Sequence, residues 1–307
     1  MLKKATKILF NLIPLKKYLF ILIKKFYIPS QSLYQHLTFK GVFNVPSGKN
    51  GFKIINTATV IENQLFWKGL KGFEPKSLEL WGKLCRNSNM IFDLGANSGL
   101  FSLIAKSENP SCTIHAFEPV ERVFKVLKKN VSINNFDINL HEIAVSNENG
   151  IGYFYDDDVD WTQSVMVNVG AAETAKSREV TEDELLRVET NLITLDSFIE
   201  ENNITGIDLM KIDVETHEPE VFEGFSKYLK VFKPTLLVEI IRDHVAISLE
   251  KQLNGLGYLY FFINEPFGGV DYEVIGPAYQ QVDSLRGQSF ANFLICSPEK
   301  AKSLNLI

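Results

Sequence analysis

Residues 91–94, Ile91-Phe92-Asp93-Leu94, form a short apolar run that breaks at Gly95-Ala96-Asn97-Ser98-Gly99 and resumes as a helical pattern over residues 100–106. A strand that enters a helix through a two-glycine turn is the opening unit of a doubly wound sheet. The rhythm continues downstream. Strand-like runs at 113–117, 138–145, 207–214 and 234–241 alternate with helical patterns at 195–201, 219–229 and 245–256. After Pro119 a further helix shows an apolar face of Val120, Val123, Phe124, Leu127 and Val131, the i, i+3, i+4, i+7 spacing of a buried stripe. Each parallel crossover needs a return helix, so the alternation predicts an α/β fold with a mostly parallel sheet covered on both faces. Near the C-terminus the rhythm fails: 258–263 and 290–296 are strand-like, with only the loop signals Gly268-Gly269 and Gly276-Pro277 between them. An antiparallel terminal strand is expected there.

The 307 residues, 45% hydrophobic and 22% charged, can bury a large core, which excludes disordered and fibrous classes. Cys85, Cys112 and Cys296 lie far apart with no CxxC pair, so neither a disulfide framework nor a structural zinc site is expected, and a reducing, cytoplasmic compartment is. The net charge of −5 conceals an asymmetry: residues 1–61 hold ten Lys and no acid, which leaves −15 on the other 246 residues. An acidic body argues against nucleic acid as a partner.

The chain thus divides into a basic N-terminal segment, 1–61, expected to be helical, and a main domain, 62–307. In the segment, lysine pairs interrupt apolar runs, and no window of about 20 apolar residues exists to span a bilayer. No signal-peptide cleavage site follows Ile23. Lys3, Lys17 and Lys24 recur at multiples of seven, so residues 1–29 read equally as an interfacial helix at the inner membrane face or as a helical cap packed on the domain or a second protomer. Within the main domain, residues 156–190 carry ten acids and three bases and read as an insertion, a candidate lid. Trp161 in it would stack on a sugar or anchor the lid, and Asp156, Asp157, Asp158 and Asp160 read as a solvated loop.

The glycine turn carries the strongest chemical signal. Its backbone can approach a ligand closely and the new helix favours an anionic group, while Asp93 favours a cationic one. Glu118 closes the next strand 23 residues beyond Gly95, where an acid can accept hydrogen bonds from ribose hydroxyls. The spacing G-x-x-x-G departs from the G-x-G-x-x-G of dinucleotide enzymes. S-adenosylmethionine, with an amino-acid end, a ribose and an adenine, meets these constraints.

Phe92-Asp93-Leu94-Gly95-Ala96-Asn97-Ser98-Gly99, Phe117-Glu118-Pro119, Ala144-Val145-Ser146, Thr194-Leu195-Asp196, Leu209-Met210-Lys211-Ile212-Asp213-Val214-Glu215 and Leu237-Val238-Glu239-Ile240 together resemble the FkbM family of S-adenosylmethionine-dependent methyltransferases, in family order over about residues 72–297. The resemblance implies a seven-stranded class I methyltransferase (Rossmann-like) sheet and O-methylation of a sugar, glycan, glycolipid or secondary-metabolite hydroxyl. It puts Asp93, Gly95, Ala96, Asn97 and Gly99 around the methionine end of the cofactor, Glu118 on the ribose and Ala144 beside the adenine. Where family members commonly carry Gly after the Glu of the Lys-Ile-Asp-Val-Glu run, this chain has Thr216.

Methyl transfer to a hydroxyl needs a proton acceptor. Asp213, Glu215 and His217 share strand parity at a strand's carboxyl end, where ligands sit in such sheets, and are the candidate catalytic residues. His217 is the favoured base; alternatively Asp213 and Glu215 hold a divalent cation, or Asp213 holds the cofactor's ammonium. Lys211 is read as a carboxylate's partner. Glu239 either touches the acceptor or satisfies backbone N–H groups; Glu74 either reaches the cofactor or starts a helix. His36, His115, His141 and His244 read as structural. Two other classes stand beside the methyltransferase: a nicotinamide-dependent oxidoreductase, which the glycine spacing disfavours, and a non-catalytic membrane-associated scaffold with a vestigial cofactor pocket.

Overall fold

A computed structural model of the chain describes residues 16–156, 186–266, 276–288 and 291–307. Most of the acidic insertion, with Trp161, and residues 1–15 of the basic segment lie outside the described residues. The described residues of the basic segment form helices α1 (Lys16–Lys24) and α2 (Gln31–Tyr34), then a hairpin of β1 (Gly41–Val45) and β2 (Phe52–Asn56). The helical expectation is corrected over the hairpin. Phe43, Val45, Phe52 and Ile54 alternate with exposed Asn44 and Lys53, the period-2 pattern of a strand pair with one buried face. Helix α3 (Val60–Lys68) follows. Phe20 of α1 packs 5.6 Å from Trp67, and Phe39 packs 4.7 Å from Phe66. Aromatic side chains buried this deeply contribute about 3 kcal/mol each, so α1, the hairpin and α3 are bound to the domain by packing.

After α4 (Pro75–Cys85) the alternation begins: β3 (Met90–Leu94), α5 (Leu100–Glu108), β4 (Thr113–Phe117), α6 (Glu121–Asn134) and β5 (Asn139–His141). Next come β6 (Ala144–Val145), β7 (Gly150–Asp156), β8 (Leu186–Ile193), α7 (Leu195–Glu201) and β9 (Leu209–Ile212), then α8 (Glu218–Glu223), α9 (Ser226–Phe232), β10 (Thr235–Ile240) and α10 (Asp243–Leu253). The C-terminal part supplies β11 (Leu259–Ile263), β12 (Tyr279–Val282), β13 (Ala291–Cys296) and α11 (Pro298–Ser303). The main sheet has the order β12-β11-β13-β10-β9-β3-β4-β5, with β13 antiparallel to both neighbours and β12 added as an antiparallel edge beyond the seven implied. One face packs on α3 to α6 and the other on α7 to α10, giving two hydrophobic cores.

Two expected elements are divided. Residues 138–145 supply β5 to the main sheet and β6 to a separate sheet of order β6-β8-β7. Residues 219–229 belong to two helices, α8 and α9, because the chain turns at Gly224 and Phe225, where the Gly224 carbonyl accepts the Asp196 N–H. All three cysteines are buried free thiols.

Candidate active site

Strand β3 pairs with β4 on one side and with β9 on the other, so the chain reverses its winding direction there and the loops beyond the carboxyl ends part into a crevice. The cavity in that crevice has a volume of about 410 Å³. Gly95, Ala96, Asn97, Glu118, Ala144, Asp213, Glu215 and His217 all line it. Asp93 and Gly99 are outside its wall.

The reason for Asp93 is specific. Its side chain is buried, accepting a hydrogen bond of 2.5 Å from Ser102 Oγ, and it lies opposite Lys211 on β9. Burial pushes its carboxyl up to about 6, against Ser102 and Lys211. Gly99 opens α5 at φ 93°, and a Cβ there would stand 2.6 Å from Leu127 Cδ1, so its role is close packing against α6. Gly95, at φ 75°, would place a Cβ 1.8 Å from the Asp213 carbonyl oxygen, so only glycine lets the turn lie against the end of β9.

The turn's N–H groups are engaged within the protein. Gly95 and Ala96 donate to the Phe117 carbonyl, Asn97 to Glu118 Oε2 at 3.0 Å, and Ser98 to Asn97 Oδ1. The N–H groups of residues 95–98 are thus spent within the protein, that of Asn97 on Glu118, which also accepts from Val120 N at 3.0 Å. Burial raises its carboxyl to about 7 despite these donors.

Beyond Ile212 the chain leaves the extended path, since Glu215 and Thr216 have φ of 55° and 78°. The parity that put Asp213 and Glu215 side by side therefore does not extend past the strand. Thr216 adopts the left-handed conformation that glycine takes most readily, a strained state for a β-branched residue. Asp213 Oδ2 receives the Lys211 ammonium at 3.1 Å, and Glu239 donates a second hydrogen bond to Asp213. Burial favours the neutral form of Asp213, but Lys211 and Glu239 hold it below its ordinary value; burial and the Asp213 charge push Glu239 well above its own. Among the described residues no three His, Cys, Asp or Glu side chains form a metal-ligand group.

His217 precedes α8, with Nε2 2.9 Å from Ser146 Oγ and Nδ1 3.4 Å from Glu220 Oε2. Burial lowers its pKa despite Glu220 and Glu223. The lowered pKa favours the neutral ring, whose two nitrogens face Ser146 and Glu220.

Glu74, expected either to reach the cofactor or to start a helix, stands at φ 37° immediately before α4 and lines the cavity, where it accepts from Asn292 Nδ2 at 3.0 Å. Burial brings its carboxyl up to about 8, with Lys211 opposing. Val60, Ile61 and Phe73, between the basic segment and α4, complete the wall. Glu62 hydrogen-bonds Ser98 of the glycine turn, and burial raises it to about 7. No motif marks Val60, Ile61, Glu62 or Phe73, because chain entry from another element brings them to the site. His115 and His141 are structural but not solitary: their rings stack, with nitrogens 3.0 Å apart.

The donor set suits S-adenosylmethionine. Phe117, Val123, Ile143, Ala144 and Val145 give the cavity an apolar wall beside the Glu118 carboxyl group, and an ionised Asp213 faces the cavity near Gly95.

A model of the methyltransferase FkbM domain matches residues 93–260, more than half of the chain. The 31-O-demethyl-FK506 methyltransferase FkbM of Streptomyces tacrolimicus is 32% identical over 156 residues, covering 45% of this chain and 60% of that protein. Methyltransferase sdnD of Sordaria araneosa is 29% identical over 156 residues, covering 44% and 59%. The chain spans about 60% of the length of these relatives. A solved structure, the methyltransferase FkbM from Methylobacillus flagellatus KT, aligns over 67% of this chain and 43% of that one at 12% identity and a TM-score of 0.42.

Proposed function

The chain belongs to the FkbM methyltransferase domain family, and from that premise we propose that it is an S-adenosylmethionine-dependent O-methyltransferase acting on a hydroxyl of a sugar, glycolipid or secondary metabolite. The observation that carries this reading is the single cavity shared by the glycine turn, Glu118, Asp213 and His217. Bound S-adenosylmethionine supplies an electrophilic methyl group. Glu118 holds the ribose, Ala144 and its apolar neighbours flank the adenine, and Gly95, Ala96 and Asn97 border the methionine end. Asp213, kept ionised by Lys211, takes the ammonium in place of Asp93. His217 Nε2 takes the acceptor's hydroxyl proton, exchanging its contact with Ser146 for one with the acceptor, while Glu215 lines the same wall.

A screen of glycan precursors and small metabolites with methyl-tritiated cofactor tests this. The expected result is label held by an alkali-stable ether, a rate lowered by 10²-fold or more in His217→Ala, and an acid limb of the wild-type pH profile below the 6.5 of free histidine. Label released by mild alkali, or full activity of His217→Ala, would contradict the reading.

A further inference from the structure

Seven of the thirteen large apolar side chains exposed among the described residues fall within residues 18–33: Tyr18, Leu19, Leu22, Phe26, Tyr27, Ile28 and Leu33. The other six are spread along the chain from Val60 to Ile307. Helix α1 is apolar on two faces, of which the described residues cover one. Inward, Phe20 is buried against Trp67 and Phe39, and Lys24 Nζ reaches the Phe66 carbonyl across that ring. Outward, Tyr18 and Leu22 lie one turn apart, and Phe26, 83% exposed, continues the row beyond the helix end. Lys17 stands 5.7 Å over the Tyr18 ring and Lys25 is exposed beside Phe26, while no acid occurs before Glu62.

We propose that this face, formed by Tyr18, Leu22, Phe26, Tyr27 and Ile28 with Lys17 and Lys25, docks in the plane of an anionic lipid bilayer. Aromatic and aliphatic side chains enter the boundary between headgroups and acyl chains while lysines meet lipid phosphates. No helix among the described residues is long and apolar enough to cross a membrane, so the contact is peripheral. A second copy fits less well. A symmetric pairing of this face sets lysines against lysines. Pairing with the acidic body would satisfy the charge, but among the described residues the exposed apolar side chains there do not form a comparable run. The surface stands independently of the transfer chemistry.

The full chain is sedimented with vesicles of phosphatidylcholine alone and of phosphatidylcholine with one quarter phosphatidylglycerol, at low and high salt. The comparison is with the triple variant Leu22→Ser, Phe26→Ser, Tyr27→Ser, which keeps every lysine and leaves Phe20 intact. Wild type should bind only the anionic vesicles and release on adding salt. The variant should partition at least tenfold less, with unchanged melting temperature and cofactor affinity. No wild-type binding, or equal binding of both proteins, would overturn the proposal. So would a wild-type dimer in light scattering that the variant converts to a monomer without any vesicle binding.

Discussion

Thr216 stands at φ 78° immediately after Glu215 at 55°, two successive left-handed residues that swing His217 from the end of β9 to the start of α8. Left-handed backbone costs an L-residue about 1–2 kcal/mol, and glycine escapes that cost while losing about 0.5–1 kcal/mol in chain entropy. Thr216→Gly should therefore stabilise the protein by about 0.5 kcal/mol in urea denaturation, and Thr216→Ala should not; a clear loss with glycine would mean that the threonine side chain matters more than its backbone. At this scale the sequence was informative where chemistry is tied to a motif. That the glycine turn, Glu118, Asp213 and His217 share one crevice was legible from residue type and position. The aim of Asp93 was not, because Ser102, nine residues later, turns its carboxylate away from the cavity.

Helix α6 was readable from its apolar spacing, yet nothing in that spacing shows that its polar residues fasten the hairpin to the cofactor turn. Asn130 accepts from Ile55 N at 2.8 Å and donates to the Ser98 carbonyl at 2.8 Å, while Asn134 exchanges hydrogen bonds with Lys53 of the same strand. Helix α3 is shared in the same way, with Val60 and Ile61 on the cavity and Phe66 and Trp67 under α1. Such joints are long-range pairings with no local signature. Asn130→Ala leaves the half-buried Ile55 N–H and the buried Ser98 carbonyl unpaired, at a cost of about 1–3 kcal/mol for the buried group. It should lower both stability and cofactor affinity, although Asn130 is not a lining residue. Unchanged affinity in a destabilised variant would limit the joint to a folding role.

Across the whole molecule, burial raises Glu62 and Glu118 to about 7 and Glu74 and Glu218 to about 8. Above their unfolded values of about 4.5 the native state holds more protons than the unfolded chain, so their stabilisation is lost as pH rises through the folded values. His115, His141 and His217 are lowered by burial and act in the opposite sense, but below about pH 6.5. From pH 6.5 to 8 the acids dominate, and denaturation should show a loss on the order of 2–4 kcal/mol. Stability rising across that interval would contradict the burial of these carboxyls. At this scale the layered sheet and its antiparallel end were legible in the alternation of strands and helices, whereas the burial of four acids depends on packing that no local pattern records. The central claim is that the crevice beyond β3 and β4 binds S-adenosylmethionine through Glu118. Calorimetric titration tests it most directly. Wild type should bind, and Glu118→Ala should bind at least tenfold more weakly, as expected for a lost hydrogen bond to a charged group. No heat from the wild type, or the same affinity in both proteins, would contradict it.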